Sequence, residues 1–244
     1  MRYLILSDLH SNLQALEAVL EDAQAVGYDA VLVLGDLVGY GADPQAVIDR
    51  TLALEPVAMI RGNHDKVCAG LESPMLFNDA ARVSAEWTAS VLDAQHISIL
   101  RELPKGPRLV TDAIEICHGT PFDEDHYVFD DSDASRAVEA ASARICLFGH
   151  THVPAIYATA QEPVTAFDGA EDELRLPRQA PVLINVGSVG QPRDGDPRAA
   201  YGVLDDERGS IRLRRVPYDI LGAQTSILQA QLPEWLALRL ERGQ

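Results

Sequence analysis

Five apolar runs in this chain end in short clusters of Asp, His, Asn and Gly, and no other feature constrains the fold as much. Arg2–Leu6 leads into Ser7-Asp8-Leu9-His10, residues 30–34 into Gly35-Asp36, and residues 57–60 into a turn carrying Gly62-Asn63-His64-Asp65. Cys117-His118-Gly119 and Gly149-His150-Thr151-His152 close two later runs in the same manner. Short continuous apolar runs bounded by turn residues read as buried strands. Between the first three lie stretches with helical spacing. Leu13, Leu16, Val19, Leu20 and Ala23 mark one helix, closed by Gly27. Pro44 opens a second, through Leu54, because proline is tolerated in a first turn. This alternation predicts right-handed crossovers and a largely parallel sheet. Ligands of open sheets bind beyond the carboxyl ends of the strands, so all five clusters can converge on one site.

The second half reads as richer in strands. Residues 77–103 are alanine-rich and helical in pattern, and strands follow at 108–117, 145–149, 155–159, 182–186, 201–205 and 210–216, with a helix near 133–143. Residues 123–133 and 160–180 read as loops or a protruding hairpin. From about 219 onward, Leu228, Leu232, Leu236, Leu238 and Leu240 mark one or two amphipathic helices. No repeat or linker divides the chain, so residues 1–244 are expected to form a single domain.

Bulk properties exclude several functions. No apolar run approaches the ~18 residues that cross a bilayer, and the amino-terminal stretch turns acidic too soon for a signal peptide. Cys68, Cys117 and Cys146 lack C-x-x-C spacing and leave one unpaired, which suits small buried hydrophobes in a reducing cytoplasm. The net charge of −17 argues against affinity for a nucleic-acid backbone or an anionic membrane, both polyanions. It leaves a small phosphorylated molecule open as partner, because bound cations reverse the potential inside a cleft.

Five of the seven histidines, at 10, 64, 118, 150 and 152, fall in the strand-end clusters. A lone histidine is more often a satisfied structural residue than a ligand. Five in one topological position, beside two aspartates and an asparagine, make that explanation improbable. Nitrogen and oxygen donors without thiolate suit Mn, Fe or Zn better than a dedicated Ca site.

The set Asp8-x-His10, Gly35-Asp36, Gly62-Asn63-His64-Asp65, His118 and Gly149-His150-x-His152 resembles the calcineurin-like metallophosphoesterase superfamily. The likeness extends over roughly residues 1–215, since Asn185-Val-Gly-Ser-Val-Gly-Gln-Pro-Arg193 is similar to the small bacterial phosphodiesterase branch. It implies an α/β (α+β) fold, a four-layered αββα sandwich of two mixed β-sheets flanked by helices, with a dinuclear metal site at the strand ends. By motif position, Asp8, His10, Asp36 and His152 would hold one metal. Asp36, Asn63, His118 and His150 would hold the other, with Asp36 bridging. The resemblance implies a metal-dependent phosphoric ester hydrolase in which a metal-bridging hydroxide attacks phosphorus in line. His64 would protonate the leaving alkoxide, and Asn63, His64 and Arg193 would contact substrate.

One departure bears on the substrate. In the phosphoprotein-phosphatase branch an Asp-Arg pair follows the Gly-Asp motif, the acid orienting the catalytic histidine and the arginine gripping phosphate. Gly39 and Tyr40 stand there in this chain. Their presence turns the expectation away from phosphoproteins and toward small or nucleotide-like diesters, with small phosphomonoesters as the alternative. A catalytically silent scaffold on the same fold is disfavoured, because all seven ligand positions are filled. Arg193 or Arg61 could replace the missing arginine, a plain salt bridge being an equal reading for either. Asn12 reads as a helix N-cap rather than a substrate contact. Tyr40, His126 and Tyr127 are rim candidates by proximity alone, with a surface role as the default.

Overall fold

The computed structural model describes residues 1–158 and 173–244. Its strands are β1 (Arg2–Leu6), β2 (Ala30–Val33), β3 (Ala58–Met59), β4 (Arg108–Thr111), β5 (Ile114–Ile116), β6 (Ile145–Phe148), β7 (Ala155–Ala158), β8 (Glu173–Arg175), β9 (Val182–Asn185), β10 (Ala199–Asp205) and β11 (Ser210–Val216). The helices are α1 (Leu13–Val26), α2 (Pro44–Leu52), α3 (Asn63–Cys68), α4 (Asp79–Val91), α5 (Ala94–Glu102), α6 (Asp131–Ala140), α7 (Ile220–Gln229) and α8 (Glu234–Leu238).

Two mixed sheets stack face to face. One runs β3-β2-β1-β10-β11-β8 and the other β4-β5-β6-β9-β7. Side-chain alternation explains the stacking, since successive strand residues point to opposite faces. In β1, Leu4 and Leu6 join α1 and α2 in one core, while Tyr3 and Ile5 face the second sheet. In β6, Ile145 and Leu147 face the first sheet, and Cys146 and Phe148 pack under α6 with Ala134, Ala137 and Val138. Helices, sheet, sheet and helix thus form the four layers that the resemblance implied.

The sheets depart from the parallel reading for a definable reason. Strands β1, β2 and β3 pair in parallel, as the strand–helix alternation predicts. The chain returns late to the other edge of β1, where β10 pairs antiparallel and joins β11 as a hairpin. Local periodicity carries no signal for such a distant pairing. Residues 77–103 form two helices rather than one, because Leu92 is extended and the Asp93 side chain caps α5 by accepting from His96 N at 2.9 Å. Residues 108–117 form the hairpin β4–β5 rather than one strand. The polar β8 pairs with β11 although its sequence shows no strand pattern, and residues 160–172 of the expected loop or hairpin, with residue 159 of the expected strand before it, lie outside the described residues.

The N-cap reading of Asn12 holds: its Oδ1 accepts from Ala15 N at 3.0 Å, and its Nδ2 donates to Gly190 O at 2.9 Å. α7 and α8 bury Ala223, Ile227, Leu236 and Ala237 against Leu232, Leu240, Ala81 and Tyr40, so the carboxyl-terminal segment lies beside the loop after β2. Leu228 and Leu238 of the expected amphipathic faces are exposed instead. Among the described residues, no helix is long and apolar enough to cross a membrane.

Candidate metal centre

The loops after β1, β2, β3, β5 and β6 converge, and their polar side chains are sealed from solvent. Asp8, His10, Asp36, His118, His150 and His152 are each at most 3% exposed. Burying so many polar groups is costly unless each finds a partner. The backbone bends to allow it. Asp8, His10, Asp36, His150 and His152 all have positive φ, between 46° and 67°, which L-residues rarely adopt. Strain of this kind persists where the surrounding structure imposes it, and it clusters at functional sites. At Gly149 only a glycine fits, since a Cβ there would lie 2.1 Å from Ser7 Oγ.

Ligand-bearing atoms form two groups, Asp8, His10, Asp36 and His152, and Asp36, His118 and His150, each with its donor atoms within 4.8 Å of one another. Asp36 belongs to both. Its Oδ2 lies 3.6 Å from His10 Nε2 and 3.3 Å from His118 Nε2, while its Oδ1 accepts from His64 N at 2.8 Å. Asp8 Oδ1 is 3.4 Å from His152 Nε2, and His10 Nε2 is 3.1 Å from the same nitrogen. Asn63 Oδ1 approaches His118 Nε2 at 3.2 Å.

Main-chain carbonyls orient the imidazoles. Val38 O, Leu34 O and Gln191 O lie 3.0, 2.8 and 2.6 Å from Nδ1 of His10, His118 and His152. Each carbonyl can only accept, so Nδ1 carries the proton and the Nε2 lone pair points inward. His150 is turned the other way, with Nε2 on Asp125 O at 3.1 Å, which frees Nδ1. Burial pushes His10, His150 and His152 well below the usual histidine range and so keeps them neutral. Burial also opposes charge on His118 and Asp36, but their proximity outweighs it. His118 rises to about 10 and Asp36 falls well below the carboxylate range, so without a metal His118 Nε2 carries a proton toward Asp36, which a bound cation would displace. Converging lone pairs, two buried carboxylates and an amide oxygen, without thiolate, fit transition-metal cations.

Neighbouring groups to which the sequence assigned no role hold this arrangement. Asp65 Oδ1 accepts from Leu37 N and Val38 N at 2.8 and 3.2 Å, and its Oδ2 accepts from Gly62 N at 2.9 Å, tying the β2 loop to the β3 loop. Ser7 Oγ donates to Asp8 Oδ2 at 2.6 Å. Phe77 packs on His64 with ring centroids 4.6 Å apart. These groups are ordinary by residue type, and only the fold gives them a role.

His64 sits among the rings of His10, Tyr40 and Phe77, with Nδ1 buried and without a hydrogen-bond partner. Burial lowers it to about 4, with Asp36 opposing. Arg61 is engaged by Glu124 through two hydrogen bonds of 3.1 and 3.0 Å, so the salt-bridge reading holds for it. Arg193 takes no side-chain carboxylate among the described residues and hydrogen-bonds Gln191 Oε1 at 2.9 Å. The surface default fails for Tyr40, which is buried against His10 with centroids 4.7 Å apart, and for Tyr127, whose ring lies 3.7 Å from that of His150. His126 instead pairs with Asp133 at 2.9 Å. The three cysteines are free and buried, as expected.

Residues 1–209 match the calcineurin-like phosphoesterase superfamily domain. The chain belongs to that superfamily. It is 34% identical over 250 residues to an uncharacterized protein of Methanocaldococcus jannaschii, covering 98% of this chain and 97% of that one. The crystal structure of a metallophosphoesterase from Sphaerobacter thermophilus is 37% identical, with TM-score 0.88 over 100% of this chain and 99% of the other. A hypothetical protein from Pyrococcus horikoshii shares the fold at TM-score 0.80 and 21% identity, over 100% of this chain and 98% of the other. The superfamily is metal-dependent, and this member carries a buried Asp/His group able to bind metals.

Proposed function

We propose that residues 1–244 act as a single-domain, dinuclear metal-dependent phosphodiesterase on small or nucleotide-like diesters. The observation that carries this reading is the position of Asp36 Oδ2, shared between His10 Nε2 and His118 Nε2 at 3.6 and 3.3 Å. A single carboxylate common to two ligand groups is what a bridged pair of cations requires. Asp8, His10 and His152 would complete one coordination sphere, and Asn63, His118 and His150 the other. The ion pair, when bound, supplies a nucleophile from water and positive charge for the phosphoryl oxygens.

The chain's own side chains do the rest. His64 donates the proton to the leaving oxygen. Its Nδ1 is sealed against Gly39 without a partner, so the proton passes from Nε2, and an anionic ester beside the ring offsets the burial that lowers it. Arg193 and the Asn63 amide hold the substrate in place. Arg61 is locked to Glu124, and Gly39 and Tyr40 stand in place of the phosphatase-type Asp-Arg pair, which favours a diester over a monoester at the scissile phosphate. Unpaired buried thiols support a reducing cytoplasm.

The test is hydrolysis of bis-p-nitrophenyl phosphate against p-nitrophenyl phosphate in Mn, Fe and Zn. Faster turnover of the diester, abolished in Asp36→Ala, is the expected result. Preference for the monoester would move the assignment to a phosphomonoesterase, and no turnover of either would remove it.

A further inference from the structure

The carboxyl-terminal segment, which lies beyond the matched superfamily domain, brings a second arginine to the site. Arg239 follows α8 and places its guanidinium carbon 5.8 Å from the centroid of the Tyr40 ring. Arg193 approaches the same ring at 5.6 Å. The Tyr40 ring in turn lies 4.7 Å from that of His10 and 4.4 Å from that of His64. Two guanidinium groups are therefore gathered one aromatic ring out from the candidate metal centre.

Neither is neutralised by a side-chain carboxylate among the described residues. Arg193 bonds to Gln191 Oε1. Arg239 Nε donates to the main-chain oxygen of Gln244. In a chain of net charge −17, most described arginines outside this corner pair with an acid, as Arg50, Arg61, Arg82, Arg198, Arg212 and Arg215 do. Burial, with the charge of Arg193 adding to it, lowers Arg239 to about 10, so it is cationic at neutral pH. Two like charges held together in a half-buried setting repel, and an anion between them relieves that repulsion. The segment is held in place: Gly195 N, two residues from Arg193, donates to Gly243 O at 2.9 Å, and Leu236 and Leu240 are buried beside Tyr40.

We propose that Arg193 and Arg239 form a subsite for a second, non-scissile phosphate of the substrate, with Tyr40 as its floor. Arginine's planar fork suits phosphate oxygens. The two residues divide the work: Arg193 lies two residues from Gln191, whose carbonyl orients His152 at 2.6 Å, whereas Arg239 comes from the carboxyl-terminal segment, which adds no residue to the candidate metal groups among the described residues. Arg239 is thus the outer, selectivity-setting member. This deepens the phosphodiesterase reading and rests on it, because it names the substrate as a diester that carries another phosphate, such as a nucleotide phosphorylated at two positions.

A matched pair of substrates tests it, thymidine 5′-(p-nitrophenyl phosphate) with and without a 3′-phosphate, alongside equilibrium binding of thymidine 3′,5′-bisphosphate and thymidine 5′-monophosphate to the metal-loaded protein. The wild type is expected to show a lower KM for the 3′-phosphorylated substrate and tighter binding of the bisphosphate. Arg239→Ala should remove about tenfold of that preference, the loss of one charge-assisted contact. Arg239→Lys should restore part of it. Equal KM values and equal binding in the wild type, or an equal loss on both ligands in Arg239→Ala, would overturn the subsite. Turnover of neither ester with the binding preference intact would remove the phosphodiesterase reading and leave the subsite standing.

Discussion

Gly39 lies directly against the imidazole of His64: a Cβ built on the glycine would sit 2.4 Å from His64 Nδ1. The glycine's φ of +89° adds backbone strain to any substitution. Gly39→Ala is therefore expected to push the ring out of place while the coordinating residues stay put. A displacement of about 1 Å costs on the order of 10²-fold in rate. Steady-state hydrolysis of an alkyl phosphodiester, whose leaving oxygen needs the proton, checks this with metal content measured on the same protein, and unchanged kcat would show that the ring's position is immaterial.

His64 itself is the more direct case. His64→Ala should slow diester hydrolysis by roughly 10²–10⁴-fold, the usual worth of general acid catalysis, and leave bound metal unchanged. A parallel fall in metal content would make the histidine structural. A p-nitrophenolate leaving group needs little protonation, so the loss should be larger on an alkyl ester, and the ratio of the two losses is the measurement.

Asp65 predicts a stability effect without contact to substrate. Its carboxylate is fully buried and accepts three main-chain N–H groups from two loops. Asp65→Ala leaves those donors unsatisfied, at about 1–3 kcal/mol each before relaxation, so a loss of several kcal/mol in urea unfolding is expected. A change below about 1 kcal/mol would mean that the loops are held by other contacts.

The convergence of these side chains was legible in the sequence because clusters of Asp, His and Asn follow five strand ends, and all seven expected positions lie together. The N-cap at Asn12 and the limits of β1 were legible too, since both depend on neighbours within a few residues. Antiparallel β10 and β11 were not, because the pairing of Leu4 with Val203 crosses nearly the whole chain. Asp65 was seen as part of a motif, yet its three donors come from a fold that periodicity does not describe. Arg239 carried no signal at all. It is one arginine in a leucine-rich helical segment, and only packing against Tyr40 gives it a place.

His96 links α5 to α2 by hydrogen bonds to Asp93 Oδ1 at 2.8 Å and Asp49 Oδ1 at 3.2 Å. Burial opposes its charge, but the two carboxylates outweigh burial and raise its pKa above the usual 6.5. A raised folded pKa stabilises the fold below the unfolded value and loses that contribution as pH climbs through the folded one. The Tm difference between wild type and His96→Gln should therefore be largest at about pH 6 and shrink toward pH 9. A difference constant across that range would contradict the ion-pair account.

The central claim is that Asp36 bridges two metal ions, and anomalous scattering from a crystal of metal-loaded protein tests it most directly. The account predicts two peaks about 3.5–4 Å apart, with Asp36 between them. Asp8, His10 and His152 should surround one, and Asn63, His118 and His150 the other. A single peak, or two peaks that Asp36 does not touch, would contradict it.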